Sequence, residues 1–347
     1  MKNIFCISVL MLVPILAWGY FFFQQHKSNY HFLITTFFAG MLSIIPIKIY
    51  ERYWDKGIFY LEHLNLFKYL DSIVLGHSGS ELLVFLFASL IVSLGIFGFC
   101  FLLMSFFEIM SGDNSLQVFE KKAKKIIEAP FLFVSIGVLI GLMAFALNSV
   151  FPETIWFFIM VGILEEFVKH LIMRFCDDEK IQCVADSIQY SIVIALGFSF
   201  VENIIYFQKY LEIHHSFTQI GLFFVLRSLV PVLGHVCFSA ILGYFYGIAH
   251  FSDQIYGTSV QARKQHPIIE FFHKLLHVKG ATLFHEEKLM EGLIVAMLIH
   301  ALFNYALEQG NLSFVLPMLA VLLTTVLHLL HSRFNRQNAG RLFNYIS

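Results

Sequence analysis

The sequence predicts an all-α fold, a polytopic transmembrane helical bundle of about nine spans, and three observations lead there. Only 14% of the 347 residues are charged and 58% are hydrophobic, against about 25% and roughly 45–50% in a soluble domain. The apolar residues, 41 phenylalanines among them, arrive in blocks of about twenty, the length that crosses a ~30 Å hydrocarbon core. Lysine and arginine are spread unevenly over the loops between those blocks, which is the signature of an oriented membrane protein. Too few solvating side chains remain for a water-soluble globule. A net charge of −1 offers no footprint for nucleic acid, which is not expected as a partner.

Nine apolar stretches follow one another: 4–23, 32–50, 82–107, 131–150, 154–175, 187–207, 220–250, 289–307 and 312–331. The first has the outline of a secretory signal. No small-x-small cleavage site follows Trp18-Gly19-Tyr20, so it reads as an uncleaved span. Stretch 220–250 is too long for a simple crossing and contains Pro231, which removes a helix hydrogen bond and predicts a kink. Residues 119–127 read as a basic helix lying on the membrane surface. The loop 252–288 carries His266, His273, His277 and His285. His273 and His277 stand one turn apart and could bind a metal, although a wet interfacial helix with ordinary histidines accounts for them more simply. The five cysteines form no CxxC, and no disulfide framework is expected.

Nine spans divide the loops between two sides. One side holds Lys2, Lys48, Arg52, Lys56, Lys68 and Lys209; the other holds fifteen basic residues, concentrated at 121–125, 263–288 and 333–341. The positive-inside rule then puts the C-terminus in the cytoplasm and the N-terminus outside. The expected location is the plasma membrane of a bacterium.

The informative residues are the ionisable ones inside predicted spans: Glu165, Glu166, Lys169, Glu202 and Arg227, joined by His235 and His300. A charge at the bilayer centre costs roughly 2.5–3.5 kcal/mol. Five of them would cost on the order of 12–17 kcal/mol before pairing, comparable to the net stability of a whole protein. Glu165 and Lys169 share a helical face, and Glu166 is offset by about 100°, so both carboxylates can border one cavity. His300 and Asn304 stand at i, i+4, while Arg227, Pro231, His235 and Ser239 form a ladder at the same spacing. Such a set can hold a Zn²⁺ that activates water. Alternatively, a carboxylate can act directly as general base, with histidine and asparagine stabilising an oxyanion. Lys169 and Arg227 read as structural counter-ions.

In order, the segments are Glu165-Glu166-Phe-Val-Lys169, Phe198-Ser-Phe-Val-Glu202-Asn203, Arg227 through His235 to Gly243, and His300-Ala-Leu-Phe-Asn304. This resembles the PrsW family of intramembrane proteases, with its double glutamate and lysine, F-x-x-x-E-N, isolated histidine and H-x-x-F-N. More distantly it is similar to the CAAX prenyl proteases and the bacteriocin-immunity group. Those have arginine where Lys169 stands, one position later, and histidine in place of Glu202. The resemblance covers residues 130–305. It divides the chain into an N-terminal membrane region of about three spans (1–129), a protease-like core (130–310), and a last span with cytoplasmic tail (311–347).

The resemblance implies hydrolysis of peptide bonds in membrane-anchored protein substrates. It makes Glu165 and Glu166 the essential acidic pair, with Glu165 the preferred activator of water. His235 and His300 would ligate a metal or stabilise the oxyanion, assisted by Asn304. Glu202 would be a ligand too, or an acid behind the ligands. Zinc and a metal-free glutamate mechanism both remain open, since no H-E-x-x-H is present. Two other functions use the same buried acids: a proton- or ion-coupled transporter, and a non-catalytic immunity or scaffold protein on the protease core. The confinement of the charges to one half of the chain speaks against the first, and the complete set of acids and histidines against the second.

Overall fold

A computed structural model describes residues 2–23, 30–52, 82–95, 153–174, 181–261, 266–276 and 279–332, with isolated positions between 98 and 146. The regular elements among the described residues are helices, with no strand. In order they are α1 (Lys2–Phe23), α2 (Tyr30–Leu42), α3 (Glu153–Ile172), α4 (Val184–Ile213), α5 (Phe217–His250), α6 (Ser252–Gln261), α7 (Pro267–Leu276), α8 (Gly280–Glu308) and α9 (Leu312–His331).

Among the described residues, six helices are long and apolar enough to cross a membrane: Ile4–Phe23, Leu33–Arg52, Val184–Ile213, Phe217–His250, Gly280–Glu308 and Leu312–His331. The protein is therefore an integral membrane protein. The six are counted among the described residues, so they do not test all nine expected stretches. α3 has the length of a span, with 20 residues, but Glu165, Glu166 and Lys169 make it too charged to count as a plain apolar crossing. The helix Leu82–Gly95 falls short of span length. Most of 131–150 lies outside the described residues, as do 119–127, His277 and the tail from 333. α4 and α5 run longer than their apolar cores, to 30 and 34 residues, and α5 continues as one helix through Pro231.

The chain forms two compact units, residues 1–42 with 169–347, and residues 43–168. In the first, α4 is the central helix. Its apolar window is 78% buried, against 17% for α1 and 22% for α9. It packs most extensively on α5, which in turn packs on α8 and α9, while α1 and α2 lie against α4. In the second, the Ser89 hydroxyl donates to the Leu86 carbonyl (2.9 Å) and the Phe85 and Phe145 rings meet at 6.1 Å.

Small residues set how closely α4 is approached, because inside a membrane helices associate by contact rather than by expelling water. A Cβ on Gly197 would collide with the Phe37 carbonyl oxygen, and one on Gly40 with that of Ile194. These backbones touch where both residues are glycine. On the facing side, the Ser187 hydroxyl donates to the Gly243 carbonyl at 2.7 Å. Asp186 closes the start of α4, its Oδ2 accepting from the backbone N–H groups of Gln182 (2.9 Å) and Cys183 (3.1 Å). At the other end of the bundle Gly310 takes φ +64° between α8 and α9, a left-handed conformation that glycine adopts without strain.

Gly197→Val is expected to lower Tm in detergent by about 2–4 °C. Overpacking costs typically 1–3 kcal/mol, and here the obstacle is backbone, which no rotamer change can move aside. A variant melting like the native protein would mean that α2 does not approach α4 this closely.

Candidate active site

α3 carries Glu165, Glu166 and Lys169; α4 carries Glu202; α5 carries Arg227 and His235; α8 carries His300 and Asn304. Lys169, His235 and His300 are 2%, 4% and 1% exposed, and Glu165 and Glu166 are 4% and 0% exposed. Such depth is tolerable only where each charge meets a partner.

The partners form a chain across three helices. Lys169 Nζ lies 3.1 Å from His235 Nδ1 and 4.4 Å above the centre of the Phe198 ring. His235 Nε2 lies 3.0 Å from Glu202 Oε2. The other oxygen, Oε1, is 2.9 Å from Arg227 Nη2, an ion pair whose angle falls outside hydrogen-bond geometry. Arg227 Nε donates to Asn203 Oδ1 at 3.0 Å, and its guanidinium carbon sits 3.9 Å above the Tyr206 ring.

His300 approaches from α8. Its ring meets that of His235 edge to face, centroids 5.0 Å apart, and Phe238 covers it at 4.8 Å. Phe303 packs on Phe238 in turn (5.3 Å), so the two imidazoles sit against an apolar wall. Asn304 follows His300 by one helical turn and is half-buried. Glu165 precedes Lys169 by one turn on the unbroken α3, and Glu165, His235 and His300 each offer a ligand atom within 4.8 Å of the others. One carboxylate with two imidazoles is a donor set that suits a divalent transition metal and leaves a position for water. This buried group can hold a metal ion.

The description "PrsW family intramembrane metalloprotease" matches residues 126–330. The chain belongs to this family. The match runs through α9, beyond the last of the four motifs. Among proteins named "Protease PrsW", that of Oceanobacillus iheyensis is 26% identical over 205 residues, 58% of this chain and 74% of the relative. That of Geobacillus kaustophilus is 36% identical over 97 residues, 27% of this chain and 39% of the relative. That of Clostridioides difficile is 32% identical over 107 residues, 30% of this chain and 43% of the relative. The chain thus spans about two fifths of the length of two of these PrsW relatives and about three quarters of the third. No solved structure matches.

Sequence alone places Phe198 within a motif but assigns it no role, and it leaves Tyr206 out altogether. Tyr206 stacks on Arg227, and Phe198 lies under Lys169 and edge-on to His235 at 5.3 Å. The signal that finds them is spacing: Phe198, Glu202 and Tyr206 recur every four residues and so line one face of α4. Away from this group, His285 Nδ1 lies 2.8 Å from the Ala249 carbonyl oxygen, and His266 Nε2 bonds the Ser259 hydroxyl at 2.8 Å. Those loop histidines have ordinary structural partners.

Proposed function

We propose that this protein is an intramembrane endopeptidase that cuts membrane-anchored protein substrates. The observation carrying the proposal is the convergence of buried Glu165, His235 and His300 in a chain of the PrsW family. A water-excluding site with acids, imidazoles and amides in reach of one another is suited to amide hydrolysis, in which charge develops on the carbonyl oxygen.

Glu165, His235 and His300 are the residues that would hold a zinc ion, which when bound supplies Lewis-acid polarisation of the scissile carbonyl and a more acidic water. With Glu165 assigned to the ion, Glu166 is the general base. It takes a proton from water as the water oxygen bonds to the carbonyl carbon. The same proton passes to the amide nitrogen as the C–N bond breaks, and the second water proton stays on the new oxygen, leaving a carboxylic acid and an amine. Asn304 assists at the oxyanion. Glu202 stands behind His235 in the position of a carboxylate that orients a metal-binding imidazole.

The same reading extends to topology. Residues 1–129 form an N-terminal membrane region, 130–310 the core, and 311–347 the last span and tail. With about nine spans in all, the N-terminus lies outside and the C-terminus inside a bacterial plasma membrane. Labelling of new protein N-termini in membranes from cells making the native protein or Glu166→Gln tests the activity. Termini inside or beside spans of membrane-anchored proteins are expected with the native protein alone. Identical profiles would sink the reading.

A further inference from the structure

We propose that Ser199 and Asn203, one turn apart on α4, form a subsite that binds the main chain of an unwound substrate segment beside the scissile bond. The inference rests on the site being the reaction centre, and deepens that reading by naming what holds the substrate there.

Asn203 is oriented by its neighbour on α5. A guanidinium only donates, so the amide oxygen Oδ1 must be the atom that faces Arg227 Nε, at 3.0 Å. Arg227 is itself pinned, by Glu202 Oε1 at 2.9 Å and by the Tyr206 ring at 3.9 Å, so the amide has one stable setting. Its NH2 group points elsewhere. That group carries two N–H donors, and Nδ2 is buried with no hydrogen-bond partner. Ser199 stands one turn earlier, 0% exposed, and its Oγ is likewise buried without a partner. At about 100° per residue, Ser199 and Asn203 share the arc of α4 that carries Glu202 and Tyr206, and Glu202 is the residue that meets His235 at 3.0 Å. The unpartnered groups therefore lie beside the acid and imidazole of the candidate active site.

A buried donor without an acceptor is costly, and alanine or leucine would fill either position without that cost. What these groups lack, an opened substrate helix lacks too. Hydrolysis requires the scissile amide to leave its helix, which releases main-chain N–H and C=O groups where no water is at hand to take them. The spacing matches. Four residues of helix advance about 6 Å, while every second carbonyl of an extended strand points the same way and recurs after about 6.6 Å. Asn203 can donate to one such carbonyl and Ser199 to the next, and the Ser199 oxygen can accept a main-chain N–H. Contacts of this kind hold any sequence alike. Entry of the segment requires the helices covering this row to part.

The test follows how fast new N-termini appear in membranes of cells making each variant, the probe being the membrane proteins of those cells. Only termini that the native protein produces and Glu166→Gln does not are counted. Ser199→Ala removes one hydroxyl. Asn203→Asp keeps an oxygen facing Arg227 and exchanges the two donors for an acceptor. Each is expected to slow all of these termini about five- to tenfold, the worth of about one hydrogen bond, and by a similar factor whatever the flanking sequence. Purified Ser199→Ala should melt within about 1 °C of the native protein or above it, because the hydroxyl it loses has no partner at rest. An unchanged rate in Ser199→Ala overturns the proposal even if Asn203→Asp does not fold. So does a loss confined to some termini, which marks a side-chain pocket, or a Ser199→Ala protein whose Tm falls along with its rate, which marks a structural hydroxyl. A native protein that yields no such termini defeats the proposed function and the subsite with it. Native cleavage matched by both variants defeats the subsite alone.

Discussion

Replacing Glu165, Glu166 or His300 by alanine is expected to abolish cleavage while the protein still inserts in the membrane. Loss of a general base costs typically 10²–10⁴-fold in rate, so the yield of new N-termini should fall by at least about a hundredfold in each case. The three variants are expected to differ in what they do to a metal. His300→Ala and Glu165→Ala each remove one donor from the Glu165, His235 and His300 group. Elemental analysis should show about one zinc per native chain and close to none in these two. Glu166→Gln should keep its zinc and lose cleavage, because its proposed task is proton transfer. Cleavage retained in all three variants would end the proteolytic reading. Cleavage lost with no zinc in the native protein would leave the protease and remove the metal.

Glu202→Ala is expected to cost about 3–5 kcal/mol of stability, the usual result of removing one partner from a buried ion pair. The Glu202 and Arg227 side chains are only 9% and 16% exposed, so the abandoned guanidinium has little water to turn to. Thermal unfolding in detergent should show a Tm lower by about 4–7 °C. The double replacement Glu202→Leu with Arg227→Met should recover much of that loss, since an apolar pair of similar volume is often neutral or better than a buried ion pair. The two effects will therefore not add, and the difference measures their coupling. Additive effects, or a single replacement within about 1 kcal/mol of native, would mean that Arg227 and Glu202 do not depend on each other.

The sequence made the bundle legible because its signals are local. Apolar runs of span length at 4–23 and 312–331 coincide with the helices there, and buried charge marked α3, α4, α5 and α8 as the functional half. What could not be read was the pairing between helices. The i, i+4 spacing suggests Lys169 beside Glu165; it gives no hint of the contact Lys169 makes with His235, 66 positions away. Which ring nitrogen that bond uses depends on the rotation of α5 against α3, and nothing in a single helix encodes it. Span ends were equally hidden. α4 continues past its apolar core to Ile213 and α5 begins at Phe217, because helical hydrogen bonding does not stop where hydrophobicity does. Arg227 was visible as a charge but not as one held between Glu202, Asn203 and Tyr206, for the same reason.

The length of α5 has a consequence for the membrane itself. Thirty-four residues make a helix of about 51 Å, while the hydrocarbon layer is about 30 Å thick. Tilt cannot absorb the difference: even at 40°, the upper end of what spanning helices adopt, the layer accommodates only about 26 residues. At least about eight residues of α5 must stand in the headgroups or the water. The exposed ring of Phe217 at one end and the half-buried His250 at the other are the two places where that surplus can emerge. How deep His235 and Arg227 ride is therefore fixed partly by the lipid, and a thicker or thinner bilayer would slide the whole charged ladder relative to the water on either side.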